Sequence, residues 1–378
     1  MKIKLKNKFT TLIAGGTGGH IYPAIAILNE IKKTNKVTFI TDRRGQNYLK
    51  INKAFKNESN LEILILDMIS PFKKGLLNKF KFLYFFICSF IMLIFFYLKN
   101  KPKVQIGFGG YTTLLPCLIG KLLFKIEYFI HEQNAIMGRA NKVLEPFASK
   151  IFIPFEKIIP LKNIKKRIFS GTPIRKEIKS IKIKQRTKDK LNILVFGGSL
   201  GSEFFSVSLV NSFINLDLKV KKKLNIFHQV INSEIKKVKR LYKINNIESE
   251  VKSFFPNIQN YYKNTDLIIC RAGGSTIAEI LHLKIPCIII PLKNSMDNHQ
   301  EINSKIINNY KLGWVINENE FKSDTFIKII EDIVTKNLHL EKMKLNFQKY
   351  RNKNDKKQKN KSSNEIIKEI LSKHIIKL

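Results

Sequence analysis

The chain has 378 residues, 44% of them apolar and 26% charged, which excludes a disordered protein and predicts two domains with buried cores. Its formal net charge of +39 favours an anionic partner, such as a phosphate-rich substrate or an acidic lipid surface, although a compositional bias toward lysine would give the same excess. The basic residues do not interleave with aromatic residues as they do in nucleic-acid-binding modules, so we expect no nucleic acid partner.

Short apolar runs alternate with longer helical patterns along the whole chain, which is typical of parallel α/β sheets. The strands predicted in the first half are 9–14, 37–41, Leu61–Leu66, 104–108, 128–131, Lys150–Ile153 and 167–171. After a polar linker predicted at 182–190, further strands are predicted at Leu191–Phe196, 224–227, Leu267–Cys270 and 286–291. The chain is predicted to be helical from about Thr325, with a solvated face over 342–361 and a last helix over 364–378.

Each half opens with a strand, a Gly-rich turn and a helix. The pattern predicts two facing, doubly wound α/β domains with a cleft between them, in which ligands bind at the carboxyl ends of the strands. Two such domains can hold two substrates.

The segment 82–98 is the one stretch apolar enough to interact with a bilayer, and lysines flank it on both sides. Three interpretations stay open: a helix of an α/β domain, a helix lying in the membrane interface with its lysines reaching lipid phosphates, and a membrane span. A span would place the motifs before and after it on opposite sides of the membrane.

The four cysteines, Cys88, Cys117, Cys270 and Cys287, form no CxxC pair and lie in apolar surroundings. We expect four buried thiols in a reducing cytoplasm. No spacing of histidines or carboxylates predicts a metal site, and no cofactor is expected.

Two Gly-rich turns, GGTGGH at 15–20 and GGSLG at 197–201, follow predicted strands and expose backbone amides to an anion. The first is predicted to lead into a helix near Pro23, and it fails the dinucleotide fingerprint because Ile21 stands where glycine or alanine is needed. His20, at the tip of this turn, could accept a proton from a sugar hydroxyl, or it could only orient the loop or bind a phosphate.

A third turn, RAGGSTIAE at 271–279, again offers amides at the start of a predicted helix. Glu279 could accept hydrogen bonds from both ribose hydroxyls, or it could only stabilise the helix N-terminus. Three polar segments, HEQN at 131–134, GTPIR at 171–175 and DNHQ at 297–300, follow strands or lie near the domain junction. Arg175 in the second of these could pair with a phosphate.

Taken together and in order, these motifs resemble those of the MurG family, the UDP-N-acetylglucosamine–N-acetylmuramyl-(pentapeptide) pyrophosphoryl-undecaprenol N-acetylglucosamine transferases. The motifs that carry the resemblance are GGTGGHIYPA near the start, GFGGY at 107–111, HEQNAIMGRANK at 131–142, GTPIR, GGSLG, RAGGSTIAE and DNHQ. The resemblance runs from about residue 9 to 345, and Leu200 departs from it by replacing a glutamine common in the second turn.

The resemblance implies a GT-B fold: an acceptor and membrane-associating domain at 1–170, a UDP-GlcNAc-binding domain at 171–357, and a C-terminal helix at about 358–378 that packs back on the first domain. It implies inverting transfer of GlcNAc from UDP-GlcNAc to the MurNAc 4-hydroxyl of lipid I, forming lipid II for the cell wall. The implied partners are UDP-GlcNAc, the lipid I acceptor and an anionic membrane surface, and the implied location is peripheral, on the cytoplasmic side of the inner membrane.

The resemblance also assigns site residues. His20 is the candidate catalytic base. The implied donor contacts are Thr17, Gly18, Gly19, Asn134, Arg175, Ser199, Phe255, Gly274, Ser275, Thr276, Ile277, Ala278, Glu279 and Gln300.

Three other functions compete with this one. Another GT-B lipid glycosyltransferase would share the Gly-rich turns but need not carry HEQN. A UDP-GlcNAc epimerase of similar fold would leave the apolar segment unexplained. A basic membrane-binding scaffold would have no use for the paired Gly-rich turns and should not bind UDP.

Overall fold

The computed structural model describes residues 9–33, 35–51, 59–68, 75–156, 160, 162–183, 190–198, 201–336, 338–358 and 361–377. Contacts divide the chain into two compact units. Unit 1 comprises Met1–Lys176 with Gln358–Leu378, and unit 2 comprises Glu177–Lys357.

Unit 1 is built on a seven-stranded parallel sheet in the order β3-β2-β1-β4-β5-β6-β7. The strands are β1 Phe9–Ile13, β2 Lys36–Asp42, β3 Leu61–Leu66, β4 Val104–Gly107, β5 Glu127–His131, β6 Lys150–Ile153 and β7 Arg167–Phe169. The helices are α1 Gly18–Ile31, α2 Arg43–Ile51, α3 Leu76–Asn100, α4 Leu114–Leu122, α5 Arg139–Leu144 and α15 Ser363–Lys377, with α6 Lys176–Lys179 at the junction.

Unit 2 is built on a six-stranded parallel sheet in the order β10-β9-β8-β11-β12-β13. The strands are β8 Leu191–Phe196, β9 Leu224–Gln229, β10 Glu248–Lys252, β11 Leu267–Cys270, β12 Cys287–Ile289 and β13 Gly313–Val315. The helices are α7 Val210–Ile214, preceded by a π-helical turn Phe205–Leu209, α8 Leu218–Lys221, α9 Ile235–Ile244, α10 Ile258–Tyr262, α11 Gly274–Leu283, α12 His299–Asn309, α13 Ser323–Lys336 and α14 Leu338–Lys357.

The central strands are almost wholly buried because helices cover both faces of each sheet. All five residues of β1 and all four of β11 are buried. Buried side chains form two hydrophobic clusters in unit 1 and one in unit 2. This layering confirms the predicted doubly wound α/β class.

Two strands were not predicted from the sequence, and both lie at the edges of the unit 2 sheet. Strand β10 has the sequence ESEVK, with one buried residue among five. Strand β13 has three residues, all half-buried. Edge strands pair along one side only and cover less core, so their sequences carry a weaker apolar signal.

The start of α1 also differs from the prediction. The helix begins at Gly18, directly after Thr17 at its N-cap position, so Pro23 lies inside the helix and not at its start. At this sixth helical position proline lacks the amide that would donate to the Gly19 carbonyl, so the helix gives up one hydrogen bond there. His20 therefore lies in the first helical turn, not at the tip of the preceding loop.

Helix α3 contains the apolar segment 82–98, and it connects β3 to β4 within the unit 1 sheet. The part Leu77–Asn100 is long and apolar enough to cross a membrane, yet only 22% of its most apolar window is buried in the protein. Its C-terminal part is anchored by Leu93, Phe96 and Tyr97, which pack into the core. Cys88 on this helix is exposed, so the prediction of four buried thiols is wrong for this residue, because its helix face is uncovered.

Candidate functional site

Polar and Gly-rich loops converge on the carboxyl edge of each sheet, as parallel strands require. In unit 1 these loops follow β1, β2, β4, β5 and β7; in unit 2 they follow β8, β9, β11, β12 and β13.

The first Gly-rich loop, between β1 and α1, is held by a buried carboxylate. Asp42 at the end of β2 is 2% exposed, and its Oδ1 accepts hydrogen bonds from the amides of Gly16 (3.3 Å) and Gly45 (2.7 Å). Its Oδ2 accepts from Thr112 Oγ1 at 3.1 Å and from Arg44. Gly16 has φ +84°, a conformation that favours glycine. Asp42 thus fixes the loop that carries Thr17, Gly18 and Gly19 at the helix N-terminus.

The His20 ring lies against the turn after β4. Its Nδ1 is 3.1 Å from the Gly15 carbonyl oxygen, which can only accept, so Nδ1 carries the proton in that hydrogen bond. The other ring nitrogen, Nε2, lies 3.2 Å from the position that a Cβ on Gly109 would occupy. A neutral ring in this tautomer presents Nε2 as a proton acceptor, which is the atom that a general base needs.

The HEQN segment after β5 is organised around Glu132, which is 1% exposed. Its Oε1 accepts from the amides of Gln133 and Asn134, both at 2.9 Å, and from Asn134 Nδ2 at 3.0 Å. Its Oε2 accepts from the Gly138 amide at 2.9 Å and from Asn141 Nδ2 at 2.8 Å. Glu132 therefore holds this loop together, and it orients the side chain of the candidate donor contact Asn134.

His131, one residue earlier, is fully buried and neutral. Its Nδ1 accepts from Gln133 Nε2 at 3.0 Å, and its Nε2 donates to the Gly171 carbonyl oxygen at 3.3 Å. Burial lowers the pKa of His131 to about 3, and the nearby His20 contributes to the shift. His131 thus links the loop after β5 to the segment after β7.

That segment carries Arg175. The Arg175 guanidinium lies over the Tyr22 ring of α1, 4.0 Å from its centroid, and Tyr22 meets Tyr48 edge-on. A guanidinium on an aromatic face keeps its in-plane donors directed outward, where they suit a phosphate. Arg175, Asn134, His20 and the first Gly-rich loop all belong to the carboxyl edge of unit 1.

In unit 2, the second Gly-rich loop follows β8. Gln229 at the end of β9 accepts from the Gly197 amide at 3.2 Å and donates from Nε2 to the carbonyls of Gly198 (2.8 Å) and Ser253 (3.0 Å). Gln229 therefore ties this loop to the segment that carries Phe255. The candidate contact Ser199 and the unusual Leu200 lie outside the described residues.

The third motif opens helix α11. The first helical hydrogen bond runs from the Ile277 amide to the Gly273 carbonyl, so the amides of Gly274, Ser275 and Thr276 precede it. Glu279 is 9% exposed, and its Oε2 accepts from Tyr262 Oη at 2.9 Å. Ile277 and Ala278 complete the predicted segment within the same helix. The arrangement gives an anion-binding N-terminus with an oriented carboxylate in its second turn.

Phe255 is only 4% exposed, and the centroid of its ring lies 4.4 Å from the centroid of the Tyr261 ring. Gln300, in the first turn of α12, accepts through Oε1 from the amides of Ala272 (3.1 Å) and Leu292 (2.9 Å). Both amides lie in loops that follow strands of the unit 2 sheet. Gln300 therefore bridges the loops after β11 and β12.

Sequence reasoning missed Arg271 as a residue of this edge. Its side chain is nearly buried, and it stacks on Phe205. It donates to the carbonyls of Ile290 and Pro291 (both 3.2 Å), to Ser202 Oγ (2.8 Å) and to the Glu318 carboxylate. Asp42 and Gln229 were missed as well. Each of the three is the last residue of a strand or the residue directly after it. A polar residue at the end of a strand is therefore the sequence signal that points to them.

Helix α3 presents an exposed apolar face at intervals of four residues. The exposed fractions are 53% for Leu83, 48% for Ile87, 49% for Ile91 and 68% for Phe95. At the end of α4, which packs beside α3, Leu122 and Leu123 are also more than half exposed. Exposed lysines border α3 at both ends: Lys79, Lys81, Lys99 and Lys101. An apolar face this large, rimmed by cations, is typical of an interaction surface.

Comparison with known families matches most of the chain. Residues 10–153 match the glycosyltransferase family 28 N-terminal domain, and residues 192–366 match the C-terminal domain of the same family.

Two curated relatives from Rickettsia bellii (strain RML369-C) and Rickettsia felis (strain ATCC VR-1525 / URRWXCal2) are each 34% identical to this chain. The matches cover 92% and 90% of this chain, and 97% and 94% of the relatives. Both relatives are named UDP-N-acetylglucosamine–N-acetylmuramyl-(pentapeptide) pyrophosphoryl-undecaprenol N-acetylglucosamine transferase.

Solved structures share the fold at lower identity. MurG from Acinetobacter baumannii aligns with a TM-score of 0.69 at 23% identity, covering 90% of this chain and 95% of that one. A UDP-N-acetylglucosamine 2-epimerase from Listeria monocytogenes, described as putative, aligns with a TM-score of 0.62 at 11% identity, covering 89% and 91%. These likenesses show the fold alone, and they confirm the predicted GT-B class of two Rossmann-like domains.

Proposed function

We infer the function from one premise: this chain belongs to glycosyltransferase family 28 and, within it, to the UDP-N-acetylglucosamine–N-acetylmuramyl-(pentapeptide) pyrophosphoryl-undecaprenol N-acetylglucosamine transferases. It is a glycosyltransferase of peptidoglycan synthesis. It transfers GlcNAc from UDP-GlcNAc to the MurNAc 4-hydroxyl of lipid I and forms lipid II with inversion at the sugar carbon. An epimerase shares this fold at 11% identity only, whereas relatives 34% identical over 92% of the chain carry the transferase name.

The observation that carries the mechanism is the orientation of His20. With Nδ1–H directed at the Gly15 carbonyl, Nε2 accepts the proton of the acceptor hydroxyl. The hydroxyl oxygen attacks the anomeric carbon of GlcNAc as the bond from that carbon to the diphosphate oxygen breaks. UDP leaves with the electron pair of that bond, in a single in-line displacement.

Donor binding uses the loops at the carboxyl edge of unit 2. The amides of Gly274, Ser275 and Thr276 at the start of α11 donate hydrogen bonds to the phosphates of the nucleotide. Glu279 binds the ribose hydroxyls. The backbone at Phe255 contacts uracil, and Ser199 and Gln300 complete the donor site. The family resemblance also assigns donor contacts to Thr17, Gly18, Gly19 and Asn134.

The leaving diphosphate gains negative charge in the transition state, so fixed donors there lower the barrier. Arg175, held on the Tyr22 ring, supplies a cation for this charge. The N-terminus of α11 supplies oriented amides that need no reorganisation during the reaction.

The lipid-linked acceptor is reached from the membrane surface, on which α3 docks. The apolar face of α3 enters the headgroup region while Lys79, Lys81, Lys99 and Lys101 contact lipid phosphates. A span is incompatible with the sheet, because β3 and β4 at the two ends of the helix belong to one hydrogen-bonded sheet. We therefore place the enzyme peripherally, on the cytoplasmic side of the inner membrane.

Release of UDP from UDP-GlcNAc, measured with and without a lipid I analogue, tests the function. We expect release only with the acceptor, together with a β-linked disaccharide product. Release without acceptor, or formation of an epimerised sugar, would contradict the proposal in favour of a hydrolase or an epimerase. UDP binding with no turnover on lipid I, but turnover on another lipid acceptor, would favour a different lipid glycosyltransferase.

A further inference from the structure

The C-terminal helix α15 begins with a buried asparagine side chain that belongs to none of the site motifs. Asn364, the second residue of α15, is 2% exposed. Its Oδ1 accepts from the Ile174 amide at 3.2 Å, and its Nδ2 donates to the carbonyls of Ile174 and Ala26, both at 3.4 Å. One side chain thus joins α15, α1 and the segment that leads to Arg175.

Asn364 binds the backbone of Ile174 as a neighbouring strand would, because it satisfies both the amide and the carbonyl of that residue. A buried amide with its donors and acceptor bonded is costly to rearrange. The backbone of Ile174 is therefore fixed, and Arg175 is the next residue along the chain.

The contact to Ala26 adds a second constraint. Tyr22, on which the Arg175 guanidinium lies at 4.0 Å, is four residues before Ala26 in α1 and so shares its helix face. Asn364 therefore bonds the helix that provides the Tyr22 platform and the backbone that provides Arg175. Helix α15 therefore fixes the distance between Tyr22 and Arg175.

The start of α15 is itself well anchored. Ser362 and Glu365 form a reciprocal capping pair, in which the Ser362 amide donates to Glu365 Oε2 at 2.8 Å. Ile367 and Leu371 are buried among core residues of α1. Gly171 packs so closely on the helix start that a Cβ there would lie 2.7 Å from Ser363 Oγ.

We propose that Asn364 is a positioning residue for the reaction: it sets the backbone of Ile174 so that the Arg175 guanidinium lies on Tyr22 in the geometry that meets the leaving diphosphate. This inference rests on the proposed function, which assigns Arg175 to that diphosphate. It gives the C-terminal helix a role in positioning Arg175.

The test is a double-mutant cycle between Asn364→Asp and Arg175→Ala. The aspartate keeps the size of the side chain but replaces the donating NH2 with an oxygen that faces two carbonyls. We expect kcat/KM for UDP-GlcNAc to fall about tenfold, since a small misplacement of a catalytic group is enough for such a loss. Adding Asn364→Asp to Arg175→Ala should cause almost no further loss, because Asn364 acts through Arg175.

Controls separate positioning from general stability. Glu369→Gln, on an exposed part of the same helix, removes ion pairs to Lys361 and Lys373 and should leave kcat/KM unchanged. Asn364→Ser is the second variant if the carboxylate prevents folding, and the thermal transition of each variant is recorded alongside.

Full additivity of the two losses would overturn the inference while leaving the proposed function intact. Kinetics of Asn364→Asp and Asn364→Ser equal to those of the unchanged protein would overturn it as well. If Arg175→Ala itself has no effect, the assignment of Arg175 to the diphosphate is wrong, and the inference about Asn364 is overturned with it. That result is distinct from failure of the whole function, which the unchanged protein reports through acceptor-dependent UDP release.

Discussion

The loops at the carboxyl edge of unit 1 are held mainly by buried carboxylates, whereas those of unit 2 are held by a buried guanidinium and by the neutral side chains of Gln229 and Gln300. In unit 1, Asp42 and Glu132 accept hydrogen bonds from backbone amides. Arg271 donates to backbone carbonyls in unit 2. The carboxylates of unit 1 engage amides of the surrounding loops, and a histidine with an acceptor nitrogen lies among them. In unit 2 Arg271 engages carbonyls, and Gln229 and Gln300 accept from loop amides. The amides of Gly274, Ser275 and Thr276 precede the first hydrogen bond within α11.

This difference fits the proposal that the two units, which share one fold, have different tasks. An edge that presents amides suits the diphosphate of a nucleotide sugar. An edge that contains carboxylates and a neutral imidazole suits proton removal from an acceptor hydroxyl. The two Gly-rich turns look alike in sequence, but the buried group that holds each of them differs in charge.

The largest expected effect comes from removing the proton acceptor. His20→Ala should lower kcat by about 100- to 10,000-fold, the usual contribution of a general base. Steady-state rates of UDP release with saturating acceptor measure this. His339→Ala, on the exposed surface of α14, is the matched control and should retain full turnover. Unchanged turnover in His20→Ala would exclude His20 as the base.

The next effect tests the guanidinium of unit 2. Arg271→Met leaves the Glu318 carboxylate and two carbonyls without their donor, so the free energy of unfolding should fall by about 3 kcal/mol. Trp314, the only tryptophan of the chain, lies in β13 and reports unfolding of unit 2 by fluorescence.

An exposed ion pair provides the comparison for Arg271→Met. Lys336→Met breaks the pair with Asp332 on the surface of α13 and should cost less than about 1 kcal/mol. Equal losses in the two variants would mean that Arg271 does not organise this edge. Adding Glu318→Met to Arg271→Met should recover part of the lost stability, because no charge is then left buried.

A smaller effect concerns pH. His131 in unit 1 and His228 in unit 2 are fully buried, and burial lowers the pKa of each to about 3. The unfolded chain, with a histidine pKa near 6.5, binds these protons first, so stability is present above about pH 6.5 and is lost as pH falls toward 3. Between pH 7 and pH 5 each histidine should lower the free energy of unfolding by about 2 kcal/mol.

Chemical denaturation at the two pH values measures this slope. His228→Gln should remove one histidine's share of it, whereas His339→Gln, at an exposed position, should leave it as it is. A slope that His228→Gln does not change would show that the acid sensitivity has another source.

The smallest effect concerns the membrane. Ile91→Ser with Phe95→Ser should weaken binding to anionic phospholipid vesicles at least about tenfold, since each side chain loses burial in the lipid. The control is Ile244→Ser, because Ile244 is 63% exposed on unit 2, away from α3 in the chain. If all three proteins co-sediment with vesicles equally, α3 is not the docking surface.

Much of the fold was predictable, because buried strands such as β11 and β12 are continuous apolar runs between turns. Strand β10, with four charged or polar residues in five, was not, because its strand state comes from pairing with β9. The Gly-rich loops were visible in the sequence as well. The sequence marks Asp42, Gln229 and Arg271 only as polar residues at strand ends. Their burial and their loop contacts were not predictable, because these depend on which distant strand ends meet.

The division between the two edges is tested most directly by calorimetric titration of UDP-GlcNAc into His20→Ala and Glu279→Gln. His20→Ala should bind the donor within about twofold of the unchanged protein, because its ring acts on the acceptor. Glu279→Gln should bind about tenfold more weakly, because the ribose loses a charged acceptor. Donor affinity that falls in His20→Ala and stays constant in Glu279→Gln would contradict the account.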